Sequence, residues 1–479
     1  MTRGRRSGAA AGVASGVTAG VAAGVATPPE AFEPAWLGAQ LRTLLGALRG
    51  RRLCVAFSGG LDSSALLAAL AALRRSERFS LRALHVNHQL HPGAAALAAT
   101  AAARARALRV PCQIVKVRVE RIRGESLEAL ARTARYRALA ARLGHGELLL
   151  TAHHQEDQLE TVLLALLRGS GVRGLAAMSL LTPWADTLLL RPLLGVSRSQ
   201  LQRYAQARGL KWSEDPSNRD ERFDRNYLRL RVLPLLQQRW PAAATTVARS
   251  AVQLAEARDL LEQLARDSLR HARDGAALRV SVLRGWALPQ RRNALRCWIR
   301  ERGLTPPDHR RLREIAGPML AAKNDALPRV SWRGGELRRH ADRLYAFVGS
   351  APAAFEAIER WDWQAQPWLA LSGGSELGLV RDRHGDVRLA ALPRHLGVRF
   401  RHGGERLPSA HGHLALKDLL QTQGLAPWER AMVPLIMHRQ RIIAVAELWV
   451  DPDYRVDDGG NAHRGRFRWR RRNSQPASW

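Results

Sequence analysis

Apolar and polar positions change period along this chain and divide it into segments. Leu53-Cys54-Val55-Ala56-Phe57 is a short unbroken apolar run, the pattern of a strand buried on both faces. Leu81 to His88 reads as a second strand, Cys112 to Val119 alternates like a third, Leu148 to Ala152 gives a fourth and Leu188 to Leu194 a fifth. Helical spacing fills the gaps, over Ser64–Leu70, Ala94–Leu108, Glu125–Leu143, Gln155–Arg168 and Ser197–Arg208. Strand and helix in alternation predict an α/β domain with a parallel, doubly wound sheet, spanning 33–240, with ligands at the carboxyl ends of the strands.

Further on the pattern changes. Residues 242 to 315 are a long Ala/Leu/Arg helical stretch, and Leu327 to Val348 reads as a short β unit, so 241–350 is expected to be a mainly helical domain. A Trp-rich, Pro-containing passage around 352–375 reads as a linker or small β elements, giving a linker over 351–394, a small α+β domain over 395–460 and a basic tail over 461–479. Residues 1–32 are Ala/Gly/Val-rich. Their frequent glycine makes a poor signal-peptide core despite Arg3, Arg5 and Arg6, so a disordered low-complexity extension is expected. No run is long and apolar enough to cross a membrane.

Charge adds a partner to this picture. The 479 residues carry a formal net charge of +33. Lysine occurs only at 116, 211, 323 and 417, so arginine supplies nearly all the positive charge. That excess points to a polyanion, and arginine suits bidentate phosphate contacts and base stacking. The 3 cysteines, Cys54, Cys112 and Cys297, form no Cys-x-x-Cys pair, which argues against a zinc or iron–sulfur site and fits a reducing compartment.

Candidate chemistry begins directly after the first strand, at Ser58-Gly59-Gly60-Leu61-Asp62-Ser63. A glycine pair between strand and helix lets backbone N–H groups approach an anion, and the helix N-terminus adds partial positive charge. The Ser58 and Ser63 hydroxyls can donate to phosphate oxygens. Asp62 among them implies a cation, for which Mg²⁺ is the candidate. The lysine of a Walker loop is missing. At the end of the fourth strand stands Thr151-Ala152-His153-His154-Gln155-Glu156-Asp157-Gln158-Leu159-Glu160-Thr161, in which Asp157 and Glu160 are i, i+3 on one helical face. Two carboxylates beside a triphosphate can hold Mg²⁺ or an ammonium ion; a solvated acidic first turn is the plainer alternative. Arg132 and Arg135 share a helix with Tyr136 and can clamp a carboxylate or phosphate. Asp215-Pro216-Ser217-Asn218 and Arg225-Asn226 complete the set.

Taken in order, the loop, His85-Val86-Asn87-His88, Ala131-Arg132 with Arg135-Tyr136, the His153-His154 segment, Arg168-Gly169-Ser170-Gly171, Arg191-Pro192-Leu193-Leu194 and Asp215-Pro216-Ser217-Asn218 resemble the bacterial tRNA(Ile)-lysidine synthetases. The likeness is dense from about 50 to 240. It returns at Arg399-Phe400-Arg401, Leu416-Lys417-Asp418-Leu419 and Pro427-Trp428-Glu429-Arg430. Two positions depart from the family pattern: Glu156 stands where Asp is expected, and His91 where Arg is expected.

The resemblance implies an adenine-nucleotide α-hydrolase-like fold and a ligase that uses ATP and Mg²⁺. It would attach free L-lysine to C2 of the wobble cytidine of the CAU-anticodon isoleucine tRNA through an adenylated tRNA, switching codon and amino-acid specificity from methionine to isoleucine. ATP binding is then expected from Ser58, Gly59, Gly60, Leu61, Asp62, Ser63 and His85. Catalysis falls to Asp62, Arg132, Asp157 and Glu160, and lysine binding to Asp157, Glu160 and Arg225. Which of Arg132 and Arg225 meets lysine and which phosphate is left open. The tRNA is expected at Arg399, Arg401, Lys417 and Arg430. Such an enzyme is expected in the cytoplasm, away from any membrane, with a homodimer left open. The rival readings are a thiolase-type tRNA-adenylating enzyme, which would need paired cysteines near the site, and a non-catalytic RNA-binding protein.

Overall fold

The computed structural model describes residues 30–89, 93–120, 126–323, 326–347, 356–409, 412–456 and 463–470. Residues 1–29 of the expected extension and His91 lie outside them, while Phe32, at the end of that extension, is buried in the core of the first unit. The chain divides into two units at Leu260/Leu261.

The first unit opens with helix α1 (Pro34–Leu45) and then alternates: β1 (Arg52–Ala56), α2 (Leu61–Leu73), β2 (Ser80–Asn87), α3 (Ala94–Ala107), β3 (Cys112–Lys116), α4 (Leu127–Ala140), β4 (Glu147–Leu150), α5 (Gln155–Leu167), α6 (Val172–Leu175), β5 (Leu181–Trp184), β6 (Thr187–Leu190) and α7 (Arg198–Ala207). The strands form one sheet in the order β3-β2-β1-β4-β6-β5. All neighbours run parallel except the β5–β6 hairpin. The unbroken apolar run of β1 is explained by its place. Leu53 and Val55 pack with Leu66, Leu70 and Leu150 on one face, and Cys54 packs with Leu84, Leu149 and Leu189 on the other. Burial of the Cys54 thiol pushes it up to about 12, so this cysteine is inert core.

Strand order reverses direction on either side of β1 and β4, so the two carboxyl ends open a crevice between them. The hairpin strand β5 was not predicted. It contains Pro183, which only an edge strand tolerates, and it sits at the sheet edge. After α7 the polar loop is more structured than its turn residues predict. Pro216–Arg219 is a 3₁₀ turn capped by the Asp215 side chain, Asp224–Tyr227 is a short helix (α8), and the Asn226 amide donates to the carbonyls of Ser217 and Asp220.

After α9 (Leu233–Arg239), α10 (Ala243–Ala272) is a continuous helix whose second half belongs to the second unit. There α11 (Val280–Arg284), α12 (Leu288–Glu301) and α13 (His309–Glu314) pack around Trp298 with a five-stranded sheet. Its strands are β7 (Arg273–Asp274), β8 (Ala277–Arg279), β9 (Arg329–Trp332), β10 (Gly335–His340) and β11 (Arg343–Phe347). The predicted β unit is therefore present and gains a hairpin from within the helical stretch, turned at Gly275 with φ +58°.

The expected linker and tail are corrected. Residues 356–394 contain β12 (Ile358–Asp362), β13 (Trp368–Ala370), β14 (Glu376–Arg381) and β15 (Val387–Arg388). β12 pairs with β16 (His395–Arg399). β17 (Arg406–Ser409), β18 (Gly412–Ala415), α14 (Leu416–Thr422), α15 (Pro427–Arg430), β19 (Leu435–His438), β20 (Arg441–Val445) and β21 (Trp449–Val450) follow. The described part of the tail is β22 (Arg464–Arg470), an interior strand between β14 and β15, with Phe467 and Trp469 buried. Arginines alternating with aromatics are the two faces of a strand, which charge alone disguised as a solvated tail.

Candidate active site

The turn from β1 into α2 supplies one wall of the crevice. Gly59 has φ +81°, and a Cβ there would lie 2.9 Å from the Ala101 Cβ of α3, so glycine is required on both counts. Ser58 and Ser63 hydroxyls lie 3.0 Å apart, and Ser63 donates to the Gly60 carbonyl at 3.2 Å. Gly60 caps α2, whose first amides have no carbonyl one turn earlier and so remain available to an anion. Asp62 stands in the first turn. Its Oδ1 is buried without a hydrogen-bond partner, and its Oδ2 lies 3.6 Å from the His154 Nε2.

The second wall is the turn from β4 into α5. His154 is buried among three carboxylates: its Nδ1 bonds Glu156 at 2.9 Å and its Nε2 faces Asp62 and, at 3.5 Å, Asp157. Burial by itself would push the His154 imidazole down, but Asp157, then Asp62 and Glu156, hold it well above its ordinary value, so it is a cation at neutral pH. Burial likewise opposes the Asp157 charge, and His154 with Arg225 and Arg229 overcomes it, holding that carboxyl far below the usual range. The neighbouring His153 is pushed by burial to about 3 and stays neutral. Asp157 also accepts from the His154 N–H at 3.0 Å, capping α5.

Both walls face one cavity of about 710 Å³. Ser58 to Ser63, His85, Arg132, Asp157 and Arg225 all line it, as do Asp215, Ser217 and Asn218. His85 is buried, which lowers its affinity for a proton, and its Nδ1 donates to the Phe57 carbonyl at 2.9 Å. Arg132 and Arg135 place guanidinium groups 5.2 and 5.6 Å from the Tyr136 ring centroid. Glu160 departs from its expected place. It does not line the cavity, is fully buried, and is held by Arg225 Nε at 2.7 Å and by Arg229 at 2.7 and 3.0 Å.

Sequence reasoning missed Arg229 and His154 as working groups. Arg229 lines the cavity and reaches Asp157 at 3.1 Å. Its signal was available, since it stands i+4 from Arg225. His154 has Glu156 and Asp157 close by in sequence, but its third carboxylate, Asp62, comes from the other wall of the crevice, and His-His alone did not distinguish a buried cation from a structural pair. Glu156, the departure from the expected Asp, accepts from His154 and from the Arg198 N–H at 3.0 Å, so its role is structural.

The residues present fit Mg²⁺. Asp62 offers an unpartnered buried oxygen at a phosphate-type loop, and Mg²⁺ is ordinarily held by one or two carboxylates with phosphates and water completing the shell. Among the described residues, no group of three or more His, Cys, Asp or Glu is placed to hold a metal ion.

The four positions expected to meet tRNA lie in the second unit on separate elements, and among the described residues no hydrogen bond or ion pair links them. Lys417 is exposed on α14. Arg401 lies 3.8 Å from Glu405, and Arg430 donates to the Leu425 carbonyl at 2.8 Å. Arg399, at the end of β16, has a buried Nε without a partner.

Comparison with known proteins matches three segments of the chain. A family described as a PP-loop domain matches residues 36–236, one described as the TilS substrate binding domain matches 278–345, and one described as the TilS substrate C-terminal domain matches 396–469. A protein of Alkalilimnicola ehrlichii named tRNA(Ile)-lysidine synthase is 43% identical over 397 residues, covering 82% of this chain and 89% of its own. Proteins of the same name from Pseudomonas aeruginosa and Methylococcus capsulatus are 42% and 40% identical, each over 82% of this chain and over 89% and 90% of theirs. No described helix is long and apolar enough to cross a membrane.

Proposed function

The chain belongs to the tRNA(Ile)-lysidine synthase family of ATP-dependent ligases, and from that premise we propose that it joins free L-lysine to C2 of the wobble cytidine of the CAU-anticodon isoleucine tRNA. The observation that carries this reading is the single cavity at the strand ends into which the phosphate-type loop, Arg132, Asp157 and the arginine pair Arg225 and Arg229 all open.

The reaction has two halves. The cytidine C2 oxygen attacks the α-phosphorus of ATP, forming an O–P bond as the bond to the β-phosphate bridging oxygen breaks and pyrophosphate leaves. The lysine ε-amine then attacks C2, loses a proton, and expels AMP with the oxygen. Ser58, Ser63 and the first amides of α2 hold the pyrophosphate oxygens and stabilise charge that grows on them. Mg²⁺ held at Asp62 would offset charge on the phosphates. His154, a cation behind Asp62 and Asp157, keeps the buried Asp157 carboxyl ionised. Asp157, facing the cavity, orients an amine of lysine. Arg132, and Arg225 anchored on Glu160, offer the cationic surface for the lysine carboxylate or the α-phosphate. The target base lies in an anticodon loop, where it can be splayed out and read at its edges. The resulting lysidine would pair with A, switching the tRNA from methionine to isoleucine.

Incubating the protein with tRNA, ATP and lysine, and analysing the nucleosides by mass spectrometry, tests the reading. Cytidine heavier by lysine less water supports it; unmodified cytidine throughout overturns it. Labelled sulfur in place of lysine would favour the thiolase reading, which the inert Cys54 in the sheet does not support.

A further inference from the structure

The phosphate-type loop contains one peptide that a single local hydrogen bond holds, from the Gly60 N–H to the Ser58 hydroxyl at 3.3 Å. Gly59 and Gly60 flank it, so its plane can rotate with little steric resistance on either side. Its orientation matters because C=O and N–H point in opposite directions across a trans peptide. With the carbonyl turned away from the cavity, the Gly60 N–H faces the Ser58 hydroxyl, 3.3 Å away, on the lining of the site. A flip would aim a carbonyl oxygen at the phosphates.

On its carbonyl side the plane is fixed by two distant segments. The Gly59 carbonyl accepts from the Ser213 N–H at 3.0 Å and from Arg104 Nη1 at 3.3 Å. The same Arg104 nitrogen donates to the Ser213 hydroxyl at 2.8 Å. Arg104 stands on α3, one turn after Ala101, the residue that touches Gly59. The buried face of α3 is Ala98, Ala101 and Ala105, small enough for the helix to come within reach of the loop. Ser213 belongs to the strand-like stretch after α7 that carries Trp212, Glu214 and Asp215 into the cavity wall. Arg104 itself does not line the cavity.

We propose that Arg104 is a positioning residue for the nucleotide site, holding the Gly59–Gly60 peptide with its N–H toward the phosphates and tying the loop to the Ser213–Asp215 strap. This rests on the reading of the loop as the ATP phosphate site. Losing a charged donor to a carbonyl that then turns predicts that Arg104→Met weakens ATP binding about tenfold. Lysine KM and tRNA affinity stay near wild type.

The decisive measurement is a double-mutant cycle with Gly60→Ala, reading the ATP dissociation constant by calorimetry on the full chain. Gly60 has φ −77° and ψ 173°, which alanine adopts, and the nearest atoms to a Cβ there are at 3.4 and 3.8 Å. A flipped peptide would carry that φ to about +100°, which alanine resists. In the Gly60→Ala background the Arg104→Met loss therefore shrinks to less than about threefold. An equal loss in both backgrounds, an unchanged ATP dissociation constant, or parallel losses of ATP binding, tRNA binding and melting temperature would each overturn the proposal. If Arg104→Met does not fold, Arg104→Gln, whose shorter side chain keeps polarity but falls short of the Gly59 carbonyl, is read in the same cycle. Wild-type protein that binds no ATP would overturn the reading of the loop itself, an outcome separate from any behaviour of the variants.

Discussion

Glu160 and Asp157 look equivalent as an i, i+3 carboxylate pair, and their environments predict that their variants will behave differently. Glu160→Gln keeps the shape of the side chain but removes a buried charge that two arginines share. Breaking a buried ion pair costs about 3–5 kcal/mol when the survivor is left uncompensated. Here Arg225 and Arg229 retain 19% and 35% side-chain exposure, and Asp157 stays 3.6 and 3.1 Å from them. The expected loss is therefore lower, about 2–3 kcal/mol, equivalent to roughly 4–12 °C in the melting of a domain of this size. Asp157→Asn removes a carboxylate that lines the cavity and should raise lysine KM more than ATP KM. The assay is thermal unfolding beside steady-state kinetics with each substrate varied in turn. Glu160→Gln with unchanged melting and a lysine KM raised as far as in Asp157→Asn would refute the reasoning. Glu160 would then meet the amine directly, and its arginine pairs would have to open when lysine binds.

Asp62→Ala should reduce adenylation at least about 100-fold with little change in melting, because its Oδ1 bonds nothing in the protein; normal turnover at ordinary Mg²⁺ would remove Asp62 from the site. Glu147, gripped by Arg82 at 2.5 and 2.6 Å, has its carboxyl held below the ordinary 4.5 although burial opposes this. Its contribution is thus present above pH 4.5 and lost as pH falls through the lower folded value, so Glu147→Gln should flatten the acid dependence of unfolding in that window, and an unchanged dependence would contradict this. Deleting 464–470 should unfold the sheet it completes, seen as loss of a cooperative melting transition in the second unit, rather than trim a tail. Replacing Arg466 and Arg468 by Ser should leave the fold intact and reduce the slope of log tRNA affinity against log salt by about 1–2; superimposable slopes would place the phosphate grip elsewhere.

The parallel sheet was legible because its strands are nearly continuous apolar runs and its helices carry their own period. Local pattern is enough where a strand is buried on both faces. It fails for β12 to β15, which are two to six residues long; β12, β14 and β15 pair with β16 and β22 further along the chain, and the three-residue β13 pairs with β14. Nothing in Glu376–Arg381 itself states that Arg464–Arg470 will pair with it. The same limit explains β22. Its alternation of arginine with Gly465, Phe467 and Trp469 carries the strand period, and charge composition outweighed it.

The site shows where residue type stops being informative. Ser58 to Ser63 reveals its chemistry locally, since strand, glycine pair and helix start are contiguous and a phosphate cradle needs only backbone and hydroxyls. A carboxylate or an imidazole has no role until its partner is known. Asp157 and Glu160 share a face, yet the arginines of α8 and the turn after it consume Glu160 and leave Asp157 at the cavity. Those arginines arrive 65 and 69 residues later. His154 is held as a cation by Asp157 first, and by Asp62, from another strand end, and Glu156 after it. Arg104 is silent in sequence for the same reason: its meaning lies in a carbonyl of Gly59 and a hydroxyl of Ser213, 45 and 109 residues away. Catalytic loops of this kind are therefore read from sequence as motifs. The groups that orient them, and that decide whether a matching carboxylate meets the substrate or only its own protein, are set by tertiary contacts.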